Sequence, residues 1–309
     1  MTAKDFALLC AACLAMGLNI VVSRWAIADM HAPPLAFAAL RFLIVVAVLV
    51  PWLRRLPQQW GRLFLVSMGI GALHFALLFR GLQDAESGAA AITQQLGVPF
   101  GALMAMIFLG DPLGWRRMIG MGVSIVGVVI IAVDPAKLSA SVGLVFVALS
   151  VFGYASANVL MKSMKPLGVF EMQAWVALMS CGPLCVMSFI LEPKSAEVIF
   201  AGGLALWGAG VFAALAVSVF GHGVFYYLLK RYDMSLISPL TLMTPVWGVL
   251  GGVMLLGEVI TLNMIFGGLL ALVGVGVVMM GPKQAVPAPT NGGDRVGDHQ
   301  IPESKLRRA

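Results

Sequence analysis

Charge is what this chain lacks. Lys, Arg, Asp and Glu make up 11% of its 309 residues while 60% are hydrophobic, where a soluble domain carries about 25% charged and 45–50% apolar residues. Too few polar side chains remain to cover a water-facing surface, and a soluble fold is excluded. Acids are the scarcer sign, fourteen against twenty bases. Asp84, Glu86, Asp111, Glu171 and Glu258 all lie near the ends of apolar runs. No acid stands mid-run, which argues against a carboxylate proton relay. There is no GxxxxGK[ST] segment either, so the chain holds no P-loop pump. Paired carboxylates or a His/Asp group at one interface, which a membrane enzyme would need, are missing, so no catalytic residue is assigned. The four cysteines, Cys10, Cys13, Cys181 and Cys185, sit in apolar runs without a polar second shell. They read as small membrane-embedded residues rather than a redox or metal site, and no metal or cofactor is implied. The net charge of +6 could suggest a nucleic-acid partner; its distribution instead points to membrane lipid and no nucleic acid.

What is present is hydrophobic length. Crossing the roughly 30 Å hydrocarbon layer takes about 20 mainly apolar residues as a helix. Such runs occur at Phe6–Ser23, Pro33–Leu53, Leu63–Phe79, Ser87–Gly110, Met118–Val133, Leu138–Met161, Met172–Leu191, Leu206–Leu229, Met234–Gly257 and Val259–Met280, with Gly202 and Gly203 marking the start of the eighth. The sequence therefore predicts an all-α integral membrane protein of ten transmembrane helices. The first run lacks a small-residue cleavage site and reads as an uncleaved helix rather than a signal peptide. With ten crossings, one side collects Lys4, Arg54, Arg55, Arg62, Arg116, Arg117, Lys162, Lys165, Lys230, Arg231, Lys283, Arg295, Lys305, Arg307 and Arg308. The other collects Arg24, Arg80, Lys137 and Lys194. Basic loops stay in the cytoplasm, so both termini are expected there, in a bacterial-type inner membrane. Residues 282–309, polar and rich in Pro and Gly, read as a disordered cytoplasmic tail.

The chain also repeats itself. Leu96–Asp111 reads LGVPFGALMAMIFLGD and Leu242–Glu258 reads LMTPVWGVLGGVMLLGE. Gly120 and Gly127 recur as Gly267 and Gly274, Asn19 as Asn158, and His74 as His222. Two five-helix halves follow, residues 1–135 and 138–281. Five is odd, so the second half enters the membrane from the opposite side. Inverted repeats of this kind are the recurrent architecture of secondary transporters.

The segments GLNIVVSR, ALRF, ALHFALLFRGL, AAAITQQLGVPFGALMAMIFLGD and GHGVFYYLLKRYDMSLISPLTLMTPVWGVLGGVMLLGE resemble the EamA-type branch of the drug/metabolite transporter superfamily, over nearly the whole chain except the tail. The resemblance is greatest to exporters of O-acetylserine, cysteine and similar amino-acid metabolites. It implies the ten-helix fold, a third helix along a central cavity and export of amino acids or their metabolites by alternating access. The alternative is another small organic metabolite or drug, or import, since gradients and coupling set direction. A dedicated cation exporter would be expected to carry a mid-membrane acid, and a nucleotide-sugar carrier more cavity bases.

Polar groups inside a bilayer are costly and become the candidate site. Asn19, His74, Gln94, Gln95, Tyr154, Asn158, His222 and Tyr226 fall within the runs. Such groups can donate to a carboxylate and accept from an ammonium. For each, an interhelical hydrogen bond of about 0.6–2 kcal/mol is the other reading. Protons are the candidate coupling ion, with His74 or His222 as carrier; otherwise the solute gradient drives a facilitator. The resemblance implies a basic residue in the ALRF motif on a second helix peripheral to the cavity, so Arg41 reads as a structural arginine that snorkels or pairs rather than a substrate carboxylate clamp. Pro99 and Pro245 each remove a helical hydrogen bond and are expected hinges. Gly97, Gly101, Gly248 and Gly252 form two GxxxG spacings that allow close helix approach.

Overall fold

The computed structural model describes residues 1–53, 57–110, 113–134, 139–165, 167–229, 231, 232 and 234–280. The polar tail and Asp111 lie outside these residues. With no water to satisfy backbone N–H and C=O groups in lipid, a chain of apolar runs must form helices. Among the described residues nine helices are long and apolar enough to cross a membrane: α1 (Ala3–Asp29), α2 (Pro34–Trp52), α3 (Trp60–Gly81), α4 (Ser87–Leu109), α5 (Trp115–Ala132), α6 (Val142–Lys162), α7 (Val169–Leu191), α8 (Gly203–Phe225) and α10 (Leu262–Met279). Between the last two lies the shorter apolar helix α9 (Met243–Leu256). The protein is thus an all-helical, multi-pass membrane protein. Among the described residues the one extended element is a two-residue antiparallel pairing of Val133 with Ala140 and Asp134 with Ser139, between α5 and α6.

The ninth run differs from the unbroken helix its apolarity predicts. It consists of Met234–Leu240, a turn at Thr241 and Leu242, and then α9. Pro245 has no N–H to offer the carbonyl of Thr241, so the regular ladder cannot pass that point. The chain tightens instead, with Leu242 N donating to Pro239 O at 3.2 Å and Thr244 N to Thr241 O at 2.9 Å. In α4 the same cause has the same effect. Residues Gln94–Leu96 form a 3₁₀ turn between the α-helical segments Ser87–Thr93 and Gly97–Leu109, and Gln95 is the residue whose carbonyl Pro99 cannot reach.

The Leu-Gly-acid segments are helix stops. Gly110 (φ 71°) and Gly257 (φ 67°) both turn left-handed, a conformation without penalty only for glycine, and terminate their helices there. Glu258 then does more than mark a boundary. Its carboxylate accepts from Ser87 N at 2.6 Å, Ser87 Oγ at 2.8 Å and Gly88 N at 3.0 Å, satisfying the open donors at the start of α4. Glu192, at the end of α7, accepts likewise from Leu35 N at 2.8 Å and Ala36 N at 2.9 Å at the start of α2. Glu86 lies beside this cluster; burial, reinforced by the Glu258 charge and opposed by Arg24, raises its pKa above the usual carboxylate range.

The helices pack in cross-pairs: α1 against α8 and α9, α6 against α3 and α4, α2 against α7, and α5 against α10. The last pair is antiparallel and meets through its glycines. A Cβ on Gly120 would stand 2.8 Å from Gly274 O, and one on Gly267 would stand 2.6 Å from Gly127 O. The GxxxG spacing in α9 works similarly, since Gly248 leaves no room beside Ala91 Cβ at 2.6 Å. Its counterpart in α4 does not: Gly97 would make ordinary contact with Val151 at 3.4 Å, and Gly101 has nothing within 4 Å. That stretch of α4 does not press on a neighbouring backbone, so its glycines are not used for close approach.

Candidate functional site

A cavity of about 280 Å³ lies between α1, α2, α3, α4, α6, α7, α8 and α9. Along α6 it is lined from Val151 through Tyr154 and Asn158 to Met161, a rise of roughly 15 Å at 1.5 Å per residue. Beyond Met161 it reaches Met172 and Gln173 at the start of α7. At the opposite end of the bundle lie the Glu192 and Glu258 caps and Arg24 Nε, which donates to Ala85 O at 2.8 Å.

The candidates Asn19, His74, Gln94, Gln95, Tyr154, Asn158 and His222 all line this cavity. Tyr226 falls in the helix His222–Leu229, but its side chain lies outside the described residues. The two histidines are held alike. His74 is 6% exposed and its Nδ1 is 3.1 Å from Ser150 O; His222 Nδ1 is 3.0 Å from Val217 O. A carbonyl only accepts, so in the neutral ring Nδ1 carries the proton and Nε2 is left as an acceptor. Each histidine also directly follows a π-helical stretch, Met68–Leu73 in α3 and Phe212–Gly221 in α8. Wide turns of that kind recur at functional sites. The His74 ring is 4.9 Å from that of Tyr154 and 4.7 Å from that of Phe75. Asn158 Nδ2 donates to Tyr154 O at 2.9 Å.

Arg41, expected to snorkel or pair, is placed on the cavity. It lines the cavity from the middle of α2 and is 2% exposed. Its Nε and Nη2 donate to Ser218 Oγ at 3.2 and 3.0 Å, and its guanidinium sits 4.3 Å from the centre of the Phe75 ring. Nη1 is buried with no hydrogen-bond partner. No acidic side chain lines the cavity among the described residues. The arginine does not snorkel, because α2 turns this face inward against α3 and α8, and among the described residues it makes no ion pair. Gln173 and Ser218 were not singled out by sequence. The signal for Gln173 is phase: it shares a helical face with Val176 and Ala177, which also line the cavity. Among the described residues no group of three or more His, Cys, Asp or Glu side chains could hold a metal ion.

The sequence model of the EamA-like transporter family matches residues 5–133 and again residues 141–280. The chain belongs to that family. It is therefore a transporter, and the cavity lies inside a transporter fold. Among curated relatives of this EamA-family chain, a probable amino-acid metabolite efflux pump of Escherichia coli K12 is 25% identical over 91% of this chain and 96% of the relative. A protein of the same description from Salmonella typhimurium is 26% identical, with the same coverage of both chains. An uncharacterized transporter of Archaeoglobus fulgidus is 28% identical over 80% of this chain and 88% of its own length. A protein solved by crystallography shares the fold, with a TM-score of 0.54 at 19% identity over 90% of this chain and 96% of the solved one.

Proposed function

We propose that this chain exports amino acids or amino-acid metabolites across a bacterial inner membrane, by alternating access between two inverted five-helix halves, residues 1–135 and 138–281. In this reading Met234–Leu240 and α9 together make the tenth crossing. The packing supports it, because exchanging the halves maps the main cross-pairs of α1 onto those of α6: α1 with α9 onto α6 with α4, and α1 with α8 onto α6 with α3. The antiparallel glycine seam of α5 and α10 maps onto itself. Lys162 and Lys165, just past the Met161 end of the cavity, support a cytoplasmic position for that end, and with it cytoplasmic termini. The names of the Escherichia coli and Salmonella relatives agree with an amino-acid metabolite as cargo.

The observation that carries the reading is Arg41, a buried cation with a free N–H in a cavity lined by no acid among the described residues. A carboxylate is the group that best completes it. The Nε2 atoms of His74 and His222 and the amide oxygens of Asn19 and the glutamines supply acceptors for an ammonium. A solute with both groups, a zwitterion, uses the whole set. Purified protein in vesicles loaded with labelled neutral amino acid should release it with saturation, and external zwitterions should drive counter-transport. Decarboxylated amines of the same side chain should not compete. Equal competition by the amines would exclude the carboxylate reading and favour a drug or other metabolite.

Pro99 and Pro245 sit one turn beyond the two helix breaks, and in this mechanism those breaks are where each half bends. Pro99→Ala or Pro245→Ala restores the missing N–H donor and is expected to slow turnover by about tenfold with substrate affinity held within about twofold. Counter-transport kinetics and equilibrium binding measured on one preparation separate the two, and a loss confined to affinity would sink the hinge assignment.

A further inference from the structure

The buried side-chain polar atoms without a hydrogen-bond partner include Asn19 Oδ1, Arg41 Nη1, Gln94 Nε2 and both Nε2 and Oε1 of Gln173. All four of these side chains line the one cavity. Folded proteins leave few such atoms unpaired, and a group of them around one space marks where a polar ligand completes the bonding. Gln173 differs from the other three. Its donor and its acceptor are both open, so the conclusion does not depend on which way the amide is turned. Its lining neighbours Met161 and Met172 are apolar and supply no strong partner for either end.

Gln173 also stands apart from the charged end of the cavity. The Arg41 guanidinium contacts Phe75, whose ring meets His74, which in turn meets Tyr154. Met161, which packs with Met172 in one cluster, is seven residues further along α6, roughly 10 Å at 1.5 Å per residue. With Arg41 at the Tyr154 end of the cavity and Gln173 at the Met161 end, a solute bound by its carboxylate at Arg41 would reach Gln173 through its side chain.

We infer that Gln173 reads the substrate's side chain and selects α-amino acids whose side chain ends in an uncharged group that both donates and accepts, a primary amide above all. This rests on the amino-acid reading of the cavity and adds to it a specificity residue. An amide facing an amide makes two complementary hydrogen bonds. An aliphatic side chain would leave both ends of Gln173 unpaired, and a site built to hydrogen-bond rejects the analogue that cannot.

The test is competition against labelled amino-acid efflux from vesicles containing the full chain, using glutamine, asparagine, methionine and leucine as competitors. The wild-type protein should prefer glutamine to methionine, its near-isostere. Gln173→Met should lose that preference by about tenfold or more while methionine competes within about twofold of its wild-type strength. Undiminished methionine competition shows that the variant is folded. Gln173→Asn, which keeps the amide on a shorter arm, should retain part of the preference. An unchanged ranking in Gln173→Met, or an equal loss for all four competitors with Gln173→Asn unaltered, would overturn the assignment. If no amino acid competes with the wild-type protein, the amino-acid reading itself fails, a result distinct from intact competition that ignores residue 173.

Discussion

Arg41→Met cuts efflux of the proposed amino-acid substrate by about 30-fold or more and leaves the protein at least as stable as the parent: that is the expected result, and the two halves of it belong together. The guanidinium is buried, is held by one serine hydroxyl and one aromatic face, and keeps Nη1 unpaired. An incompletely satisfied buried cation is a cost to the fold. Removing it should not lower the melting temperature in detergent, and a gain is the favoured direction. For transport the sign reverses. Losing one partner of a buried, hydrogen-bonded charge pair costs about 2–5 kcal/mol, or roughly 30-fold to several thousand-fold in transport efficiency. Arg41→Lys should recover little, because an ammonium cannot keep Nε and Nη2 on Ser218 while offering a third N–H to the solute. Efflux kinetics and a thermal melt on one preparation check both. A melting temperature that falls together with activity would return Arg41 to a purely structural role.

The second large effect falls far from the cavity. Gly127→Ala should lower stability by about 3 kcal/mol, the upper end for overpacking, because the added methyl lands on backbone rather than on a movable side chain. At this position the obstacles are Ala271 N and Gly267 O, the latter 2.5 Å away. Relief requires α5 and α10 to separate along their length. Gly101→Ala is the control: with nothing within 4 Å, it should leave the melt unchanged or slightly raised, since alanine is the better helix former. A melt of Gly127→Ala within experimental error of the parent would mean the two helices are not held at this spacing.

Nine of the ten expected spans were legible because hydrophobic length is a one-dimensional property, and a run of apolar residues in lipid has little choice but to be helical. The cavity candidates were legible for a related reason: polar groups inside the membrane face inward, so Asn19, His74, Gln94 and Asn158 could be named before any packing was known. What was not legible depends on rotation about a helix axis. Arg41 could have faced lipid and snorkelled; only the packing of α2 on α3, α7 and α8 turns it inward. Gln173 sits in FEMQAW near the start of its helix, where a polar residue is unremarkable at an interface. Its importance comes from the inward phase it shares with Val176 and Ala177. The ninth run read as continuous because hydropathy does not register a carbonyl left without a donor, although Pro245 recorded where that would happen.

The π-helical stretch ahead of His74 carries a consequence for phase. At about 100° per residue, five residues of regular α-helix turn about 140° past a full circle, so Ile70 and Phe75 would look in quite different directions. Both line the cavity. Across Met68–Leu73, where bonds reach five residues back, each residue turns through less than the α-helical 100°, which brings Ile70, His74 and Phe75 closer to one side. A helical wheel drawn at constant pitch therefore misassigns one flank of this stretch. A single deletion within it would keep every side chain's chemistry and aim the histidine elsewhere.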